Sequence, residues 1–103
     1  VMNISEILSL NEIDALMIGP YDLSASLGCP GDFKSEVYKN ALQKILFVAN
    51  KKKITAGIHS VDADFKKAVE KIKEGFKFIS YSLDSILLMN SIKLGINNIK
   101  KNI

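Results

Sequence analysis

The 103-residue sequence contains no arginine, no tryptophan, one histidine and one cysteine. The single cysteine, Cys29, excludes an internal disulfide framework and is typical of a reducing compartment, so we expect a cytoplasmic protein. Cys29 lies between a glycine and a proline, far in sequence from the only histidine, His59, which indicates a loop thiol rather than a nucleophile. No apolar run approaches the roughly 18 residues of a membrane span. No signal-peptide pattern is visible.

The charges are unevenly distributed along the chain. Residues 1–36 carry six acids and one lysine, whereas residues 37–103 carry five acids and thirteen lysines. The lysines fall on predicted helices and at their carboxyl ends, where cations complement the helix dipole. Arginine and interleaved aromatic residues are missing from these segments. We therefore expect a solvated helical surface, with no nucleic-acid partner and no membrane partner.

Hydrophobic patterning predicts alternating strands and helices. Short apolar runs predict buried strands at about residues 14–18, 54–58 and 76–80. Helical periodicity predicts helices at about residues 3–10, 34–52, 63–74 and from about 84 to 98. We expect Asp62 to cap the third helix, and either Ser82 or Asp84 to cap the last. Single helices between strands imply right-handed crossovers and a parallel sheet.

The segment between the first strand and the second helix lacks a long periodic pattern. Residues 19–33 contain three glycines and both prolines, and only a short helical turn is expected within them, at about residues 21–27. Long loops of this kind are often functional. Asp22 follows the first strand at the carboxyl edge of the predicted sheet, where α/β proteins bind ligands and metals. From the pattern alone, Asp22 is either a metal ligand or a helix cap.

Three parallel strands would leave two exposed edges, and buried-type strands make poor edges. A barrel of eight βα units takes about 250 residues, so three units in this chain match about three-eighths of one. We therefore expect an α/β fold made of the last three βα units of a (β/α)8 TIM barrel, incomplete as given. Residues 1–103 would form the C-terminal part of a single TIM-barrel domain or, alternatively, a small open sandwich.

Three segments resemble a known family. Residues 14–28, DALMIGPYDLSASLG, are similar to the HpcH/HpaI aldolase/citrate lyase family, and more narrowly to its aldolases acting on 2-keto-3-deoxy sugar acids and 2,4-dihydroxy diacids. Residues 57–62, GIHSVD, resemble the seventh strand and turn of that family. Residues 75–80, followed by residues 84–88, resemble its eighth strand and final helix.

The resemblance implies a metal-dependent class II aldolase, which cleaves a 4-hydroxy-2-oxo acid to pyruvate, or a related oxo acid, and an aldehyde. It implies that Asp22 is one of two carboxylates on a divalent metal, Mg²⁺ or Mn²⁺, with Co²⁺ as a further option. It also places the backbone around Pro20 and Tyr21 against the pyruvate carboxylate, and Gly19 allows that close approach. His59 is expected either to line the aldehyde side of the pocket or to be a turn histidine bonded to nearby backbone.

The chain also departs from the family pattern. The second metal carboxylate, the arginine and the His–Asp pair of the family have no counterpart in these residues. We therefore expect no catalytic residue within the chain and no activity from it alone. The family resemblance implies a homo-oligomer that acts on a small oxo acid. The alternative is a non-catalytic α/β remnant or packing module without enzymatic activity.

Overall fold

A computed structural model describes all of residues 1–103. The chain forms, in order, α1 (Ile4–Ile7), β1 (Ala15–Ile18), α2 (Pro20–Ser26), α3 (Glu36–Lys52), β2 (Thr55–Ser60), α4 (Phe65–Glu74), β3 (Phe78–Tyr81) and α5 (Asp84–Lys101). The strands pair in the order β1-β2-β3, and both pairs are parallel. The predicted α/β fold of three parallel strands joined by helices is confirmed.

Helices cover only one face of the sheet. Ile18, Ile58 and Ile79 are neighbours across the three strands and lie on this face. The apolar stripe of α3 packs against them, because its residues recur every three or four positions. The buried cluster consists of Leu8, Ile18, Tyr38, Leu42, Ile45, Ala49, Ala56, Ile58 and Phe76.

The opposite face of the sheet is uncovered, and its middle row is apolar. Met17, Gly57 and Phe78 are register partners on this face. Met17 is 44% exposed and Phe78 is 51% exposed. A β-carbon at Gly57 would lie 2.9 Å from the Phe78 ring, so the ring lies across the glycine. Helices on one face and bare apolar side chains on the other are typical of a barrel segment, because a closed barrel fills its interior with strand side chains.

Two predicted element boundaries are wrong for identifiable reasons. The cap of α4 is Asp64 rather than Asp62, since the Asp64 side chain accepts a hydrogen bond from the Lys66 amide at 2.9 Å. Asp62 instead forms an ion pair with Lys67. Strand β3 begins two residues later than predicted, because the Phe76 amide still donates to a carbonyl of α4. Strand β2 is shifted by one to two residues and extends to Ser60.

The last helix also differs from its prediction. Leu83 stands at the N-cap of α5 without a side-chain hydrogen bond, so neither Ser82 nor Asp84 caps it. The helix continues to Lys101, beyond the predicted end at residue 98. None of its residues is buried. The radius of gyration is 17.0 Å, against about 13 Å for a compact domain of this size. None of the helices has the length and hydrophobicity needed to cross a membrane.

Candidate functional site

The turn between β1 and α2 carries Asp22 at the carboxyl edge of the sheet. Gly19 is the N-cap of α2 and has an extended backbone, and Pro20 is the first helical residue. Proline is well suited to that position, because its missing N–H would have no helical partner there. Asp22 follows in the first helical turn, where the helix dipole favours a carboxylate. Asp22 is therefore not the N-cap of this helix, although its carboxylate in the first turn still stabilises the helix.

The Asp22 carboxylate folds back over Gly19. A β-carbon at Gly19 would lie 3.0 Å from Oδ2 of Asp22, so only glycine leaves the carboxylate this position without a shift. The Asp22 side chain is exposed and enters none of the ion pairs of the chain. Carboxylate oxygens of this kind are ligands that hard divalent cations prefer. The residue therefore fits the role of a single oxygen ligand.

Ser24 holds this turn in place, and sequence reasoning missed it. Ser24 is completely buried. Its hydroxyl donates to the Tyr21 carbonyl at 3.0 Å and accepts from the Gly31 amide at 2.9 Å. Gly31 has a φ of +74°, a conformation that favours glycine. These bonds tie α2 to the loop that follows it. A serine in a loop rich in small polar residues carries no periodic signal that would reveal this role.

His59 lies near the end of β2 and contacts the next connection. Its Nε2 is 2.8 Å from the carbonyl oxygen of Ser82. A carbonyl only accepts, so Nε2 carries the proton and Nδ1 is an acceptor in the neutral ring. The Ser82 amide donates to the Ser60 carbonyl at 2.7 Å, which adds a second link between these segments. His59 is thus bonded to backbone, as its structural alternative requires, and it also lines a cavity.

A cavity of about 720 Å³ opens at this edge and runs between α3 and α4. Pro20, Tyr21 and His59 all line it, whereas Gly19 and Asp22 do not. The structure therefore brings together three of the five predicted site residues and leaves the predicted metal ligand just outside the cavity. No group of three or more His, Cys, Asp or Glu side chains in the chain is arranged to hold a metal ion. Asp22 would be one ligand of a larger set.

Two lining residues have shifted acidities. Burial raises the pKa of Tyr38 to about 12, and the charges of Glu74 and Cys29 add to the effect. The hydrogen bond from Lys67 to Asp62, together with the charge of that carboxylate, raises the pKa of the Lys67 ammonium. The cavity therefore holds a protonated phenol and a fully charged lysine throughout the neutral pH range.

The chain is similar to proteins of one family. The family model for HpcH/HpaI aldolase/citrate lyase matches residues 1–91. A hydroxypyruvate/pyruvate aldolase from Paraburkholderia phytofirmans is 29% identical over 100 residues, which are 97% of this chain and 38% of that protein. A protein of the same name from Roseobacter denitrificans is 32% identical over 92 residues, which are 88% of this chain and 35% of that protein.

A solved structure of a protein from the same family also matches this chain. The crystal structure of an HpcH/HpaI aldolase/citrate lyase family protein from Burkholderia cenocepacia J2315 matches with a TM-score of 0.87 at 25% identity. The match covers 94% of this chain and 37% of that one. The structural match agrees with the barrel segment inferred from the one-sided helix layer. The chain spans between 35% and 38% of the curated relatives described above.

Proposed function

Because the chain belongs to the HpcH/HpaI aldolase/citrate lyase family, we propose that it is part of a metal-dependent class II aldolase. The whole protein would cleave a 4-hydroxy-2-oxo acid to pyruvate, or a related oxo acid, and an aldehyde. The observation that carries the proposal is the Asp22 carboxylate, which is exposed, outside every ion pair, and folded over Gly19 where β1 ends. The names of two similar proteins, hydroxypyruvate/pyruvate aldolase, support the choice of pyruvate as a product.

Each residue of the turn has a role in this proposal. Asp22 would hold a divalent cation, Mg²⁺ or Mn²⁺ with Co²⁺ as a further option, together with ligands from the rest of the protein. When bound, the cation supplies Lewis-acid polarisation of the carbonyl of the oxo acid. Gly19 leaves the backbone open to close approach, and Pro20 and Tyr21 would lie against the substrate carboxylate. His59 would form the wall on the aldehyde side, held in orientation by its bond to the Ser82 carbonyl.

The test uses the complete gene product and the isosteric variant Asp22→Asn. We expect Mn²⁺ binding, measured by calorimetry, to weaken by more than the roughly 10–100-fold typical of losing an outer partner of a metal ligand. Pyruvate release from a 2-keto-3-deoxy acid should fall in parallel. The matched control is Asp14→Asn, because Asp14 is also an exposed carboxylate beside β1 but lies at its amino end. The control should keep both properties.

Undiminished pyruvate release by Asp22→Asn, with the metal dependence of the wild type, would refute the assignment of Asp22. A folded complete protein that binds Mn²⁺ but cleaves no oxo acid would instead support a non-catalytic packing module.

The proposal also includes a homo-oligomer formed through α5. Leu88, Ile92 and Ile96 repeat every four residues along this helix and are 62%, 51% and 45% exposed. Such a stripe is stable only when it packs against another surface, which is either the core of the complete protein or a subunit interface, and the partner proposed is a second copy of the chain. Light scattering of the complete protein should show a multimer, and Ile92→Asp should reduce its mass whereas Asn90→Asp should not. A monomeric wild type would contradict this part of the proposal.

A further inference from the structure

The groove between α3 and α4 is formed entirely by this chain. Leu42 and Leu46 of α3 line one side, and residues of α4 line the other. Its volume of about 720 Å³ falls within the range of roughly 300–1,000 Å³ that is typical of small-molecule sites. The groove lies on the helical face of the sheet, opposite the bare face where further barrel strands would pack. It meets the proposed substrate site only at one end, where Pro20, Tyr21 and His59 lie.

Three aromatic rings form a continuous wall along this groove. The Tyr21 and Phe33 rings meet edge to face, with centroids 5.0 Å apart and an interplanar angle of 77°. The Phe33 and Tyr38 rings are 5.2 Å apart and tilted by 48°. Aromatic pairs at these distances are attractive and offer both faces and edges to a further ring. The wall therefore suits a planar aromatic molecule.

The Tyr38 hydroxyl, which belongs to this wall, has no hydrogen-bond partner in the chain. Tyr38 is 3% exposed, and its amide is bonded to the Ser35 hydroxyl. No side-chain hydrogen bond of the chain includes the Tyr38 hydroxyl, which is left as a donor in the groove. Because burial raises the pKa of this phenol to about 12, it remains protonated. The nearby Glu74 charge contributes to that shift, so a negative charge lies close to the hydroxyl.

Most of the charged groups that line the groove are paired, and the two that enter no ion pair, Lys34 and Glu70, have opposite charges. Lys71 bonds both carboxylate oxygens of Glu74, at 3.0 and 2.9 Å. Lys67 forms an ion pair with Asp62. A ligand carboxylate near Tyr38 would meet the Glu74 charge, and a ligand ammonium would meet the lysines. A neutral ligand avoids both repulsions.

We propose that this groove is a binding site for a small, neutral aromatic molecule that bears a hydrogen-bond acceptor, with the Tyr38 hydroxyl as the donor. The ring of the ligand lies against Phe33 and the flanking tyrosines. The acceptor, a carbonyl or an amide oxygen, accepts from Tyr38. The site shares Pro20, Tyr21 and His59 with the proposed substrate site, but binding at Tyr38 needs neither metal nor oxo acid and is tested separately from the aldolase proposal.

The test is a titration of the ¹⁵N-labelled chain with benzamide, followed by amide chemical shifts. We expect saturable shifts centred on residues 58–62 and the facing turns of α3 and α4, with a dissociation constant on the order of 1 mM for so small a ligand. Tyr38→Phe keeps the ring and should weaken binding by about five-fold, the effect of one net hydrogen bond. The control Tyr81→Phe should bind normally, because Tyr81 does not line the groove.

Benzoate tests the charge argument, because it has the shape of benzamide and a negative charge. It should bind more weakly than benzamide to the wild type, and Glu74→Gln should reduce that difference. Glu74 is half-exposed, so this second variant should fold even if Tyr38→Phe does not. The proposal is overturned if benzamide gives no saturable shifts in the groove. It is also overturned if Tyr38→Phe binds like the wild type, or if benzoate binds as tightly as benzamide.

Discussion

Ser82 is the most strained residue of the carboxyl edge, and relieving it should stabilise the chain. Its φ is +57°, in the left-handed region that is costly for a residue with a side chain. It is 4% exposed, and its hydroxyl is the one buried side-chain polar atom without a hydrogen-bond partner. The backbone is held there by two bonds, from Ser82 to Ser60 and from His59 to Ser82. Ser82 therefore combines two energetic costs, a left-handed backbone conformation and an unpaired buried hydroxyl.

Two substitutions separate these costs. Ser82→Ala removes only the hydroxyl, and an unpaired buried hydroxyl costs roughly 1–3 kcal/mol. Ser82→Gly also relieves the left-handed backbone, worth about 1–2 kcal/mol, but loses about 0.5–1 kcal/mol through the greater freedom of unfolded glycine. We expect Ser82→Ala to raise the free energy of unfolding by at least about 1 kcal/mol. Ser82→Gly should exceed it by up to about 1.5 kcal/mol.

The assay is urea unfolding followed by far-ultraviolet circular dichroism. An increase in the midpoint with an unchanged slope would identify a change in stability alone. A stabilisation of 1 kcal/mol corresponds to a rise of roughly 4–8 °C in Tm for a domain of this size. The matched control is Ser85→Ala, at an exposed position of α5, which should change stability by less than about 0.5 kcal/mol. A destabilised Ser82→Ala would refute the reasoning, since it would mean that the hydroxyl makes a favourable interaction.

Three further outcomes are expected. Gly19→Ala would place a β-carbon 3.0 Å from the Asp22 carboxylate. The Mn²⁺ affinity of the complete protein, measured by calorimetry, should therefore fall by about ten-fold. An unchanged affinity would contradict the close approach of the carboxylate to Gly19. Ser24→Ala leaves the Gly31 amide without its acceptor. The free energy of unfolding, measured in urea, should therefore fall by about 1–3 kcal/mol. An unchanged free energy of unfolding would show that the turn does not depend on this serine. Because the pKa of Tyr38 is raised to about 12, the unfolded chain loses this proton first as the pH rises. Stability present below pH 10 should therefore decline between pH 10 and 12, as followed by thermal unfolding. Tyr38→Phe should lack this part of the decline, and an identical decline in both proteins would count against the shift.

The order and pairing of the strands could be predicted, because they depend on periodicity. Three short apolar runs separated by single helices leave a parallel sheet as the simple solution, and the stripe of α3 identifies its buried side. The boundaries of the helices and strands depend on which of several neighbouring residues forms the capping hydrogen bonds. Asp62 and Asp64 are equivalent candidate caps in the sequence, and only the ion pair between Asp62 and Lys67 decides between them. Phe76 continues an apolar run, yet its amide is bonded within the helix cap.

The candidate site also contains some residues that could be predicted from the sequence and others that could not. The glycine, the proline and the carboxylate at the end of β1 could be recognised, since that segment combines an apolar strand with specific turn residues. The roles of Ser24 and Ser82 could not be recognised, because they depend on burial and on distant backbone contacts, from the Gly31 amide to Ser24 and from His59 to the Ser82 carbonyl. The groove beside Tyr38 depends on how far apart α3 and α4 lie, which no local pattern determines. Sequence periodicity also predicts the stripe on α5 without indicating what it packs against.

No residue of α5 is buried within the chain, so in the proposed homo-oligomer the order of this helix would report association. Its eighteen residues extend about 27 Å as a regular helix, and an isolated helix of that length is only marginally stable in water. Its amides should exchange with solvent faster than those of α3, and proteases that cleave after lysine should cut first near Lys93. In the proposed homo-oligomer, mass action would make the fast exchange and the cleavage near Lys93 decrease as the protein concentration rises.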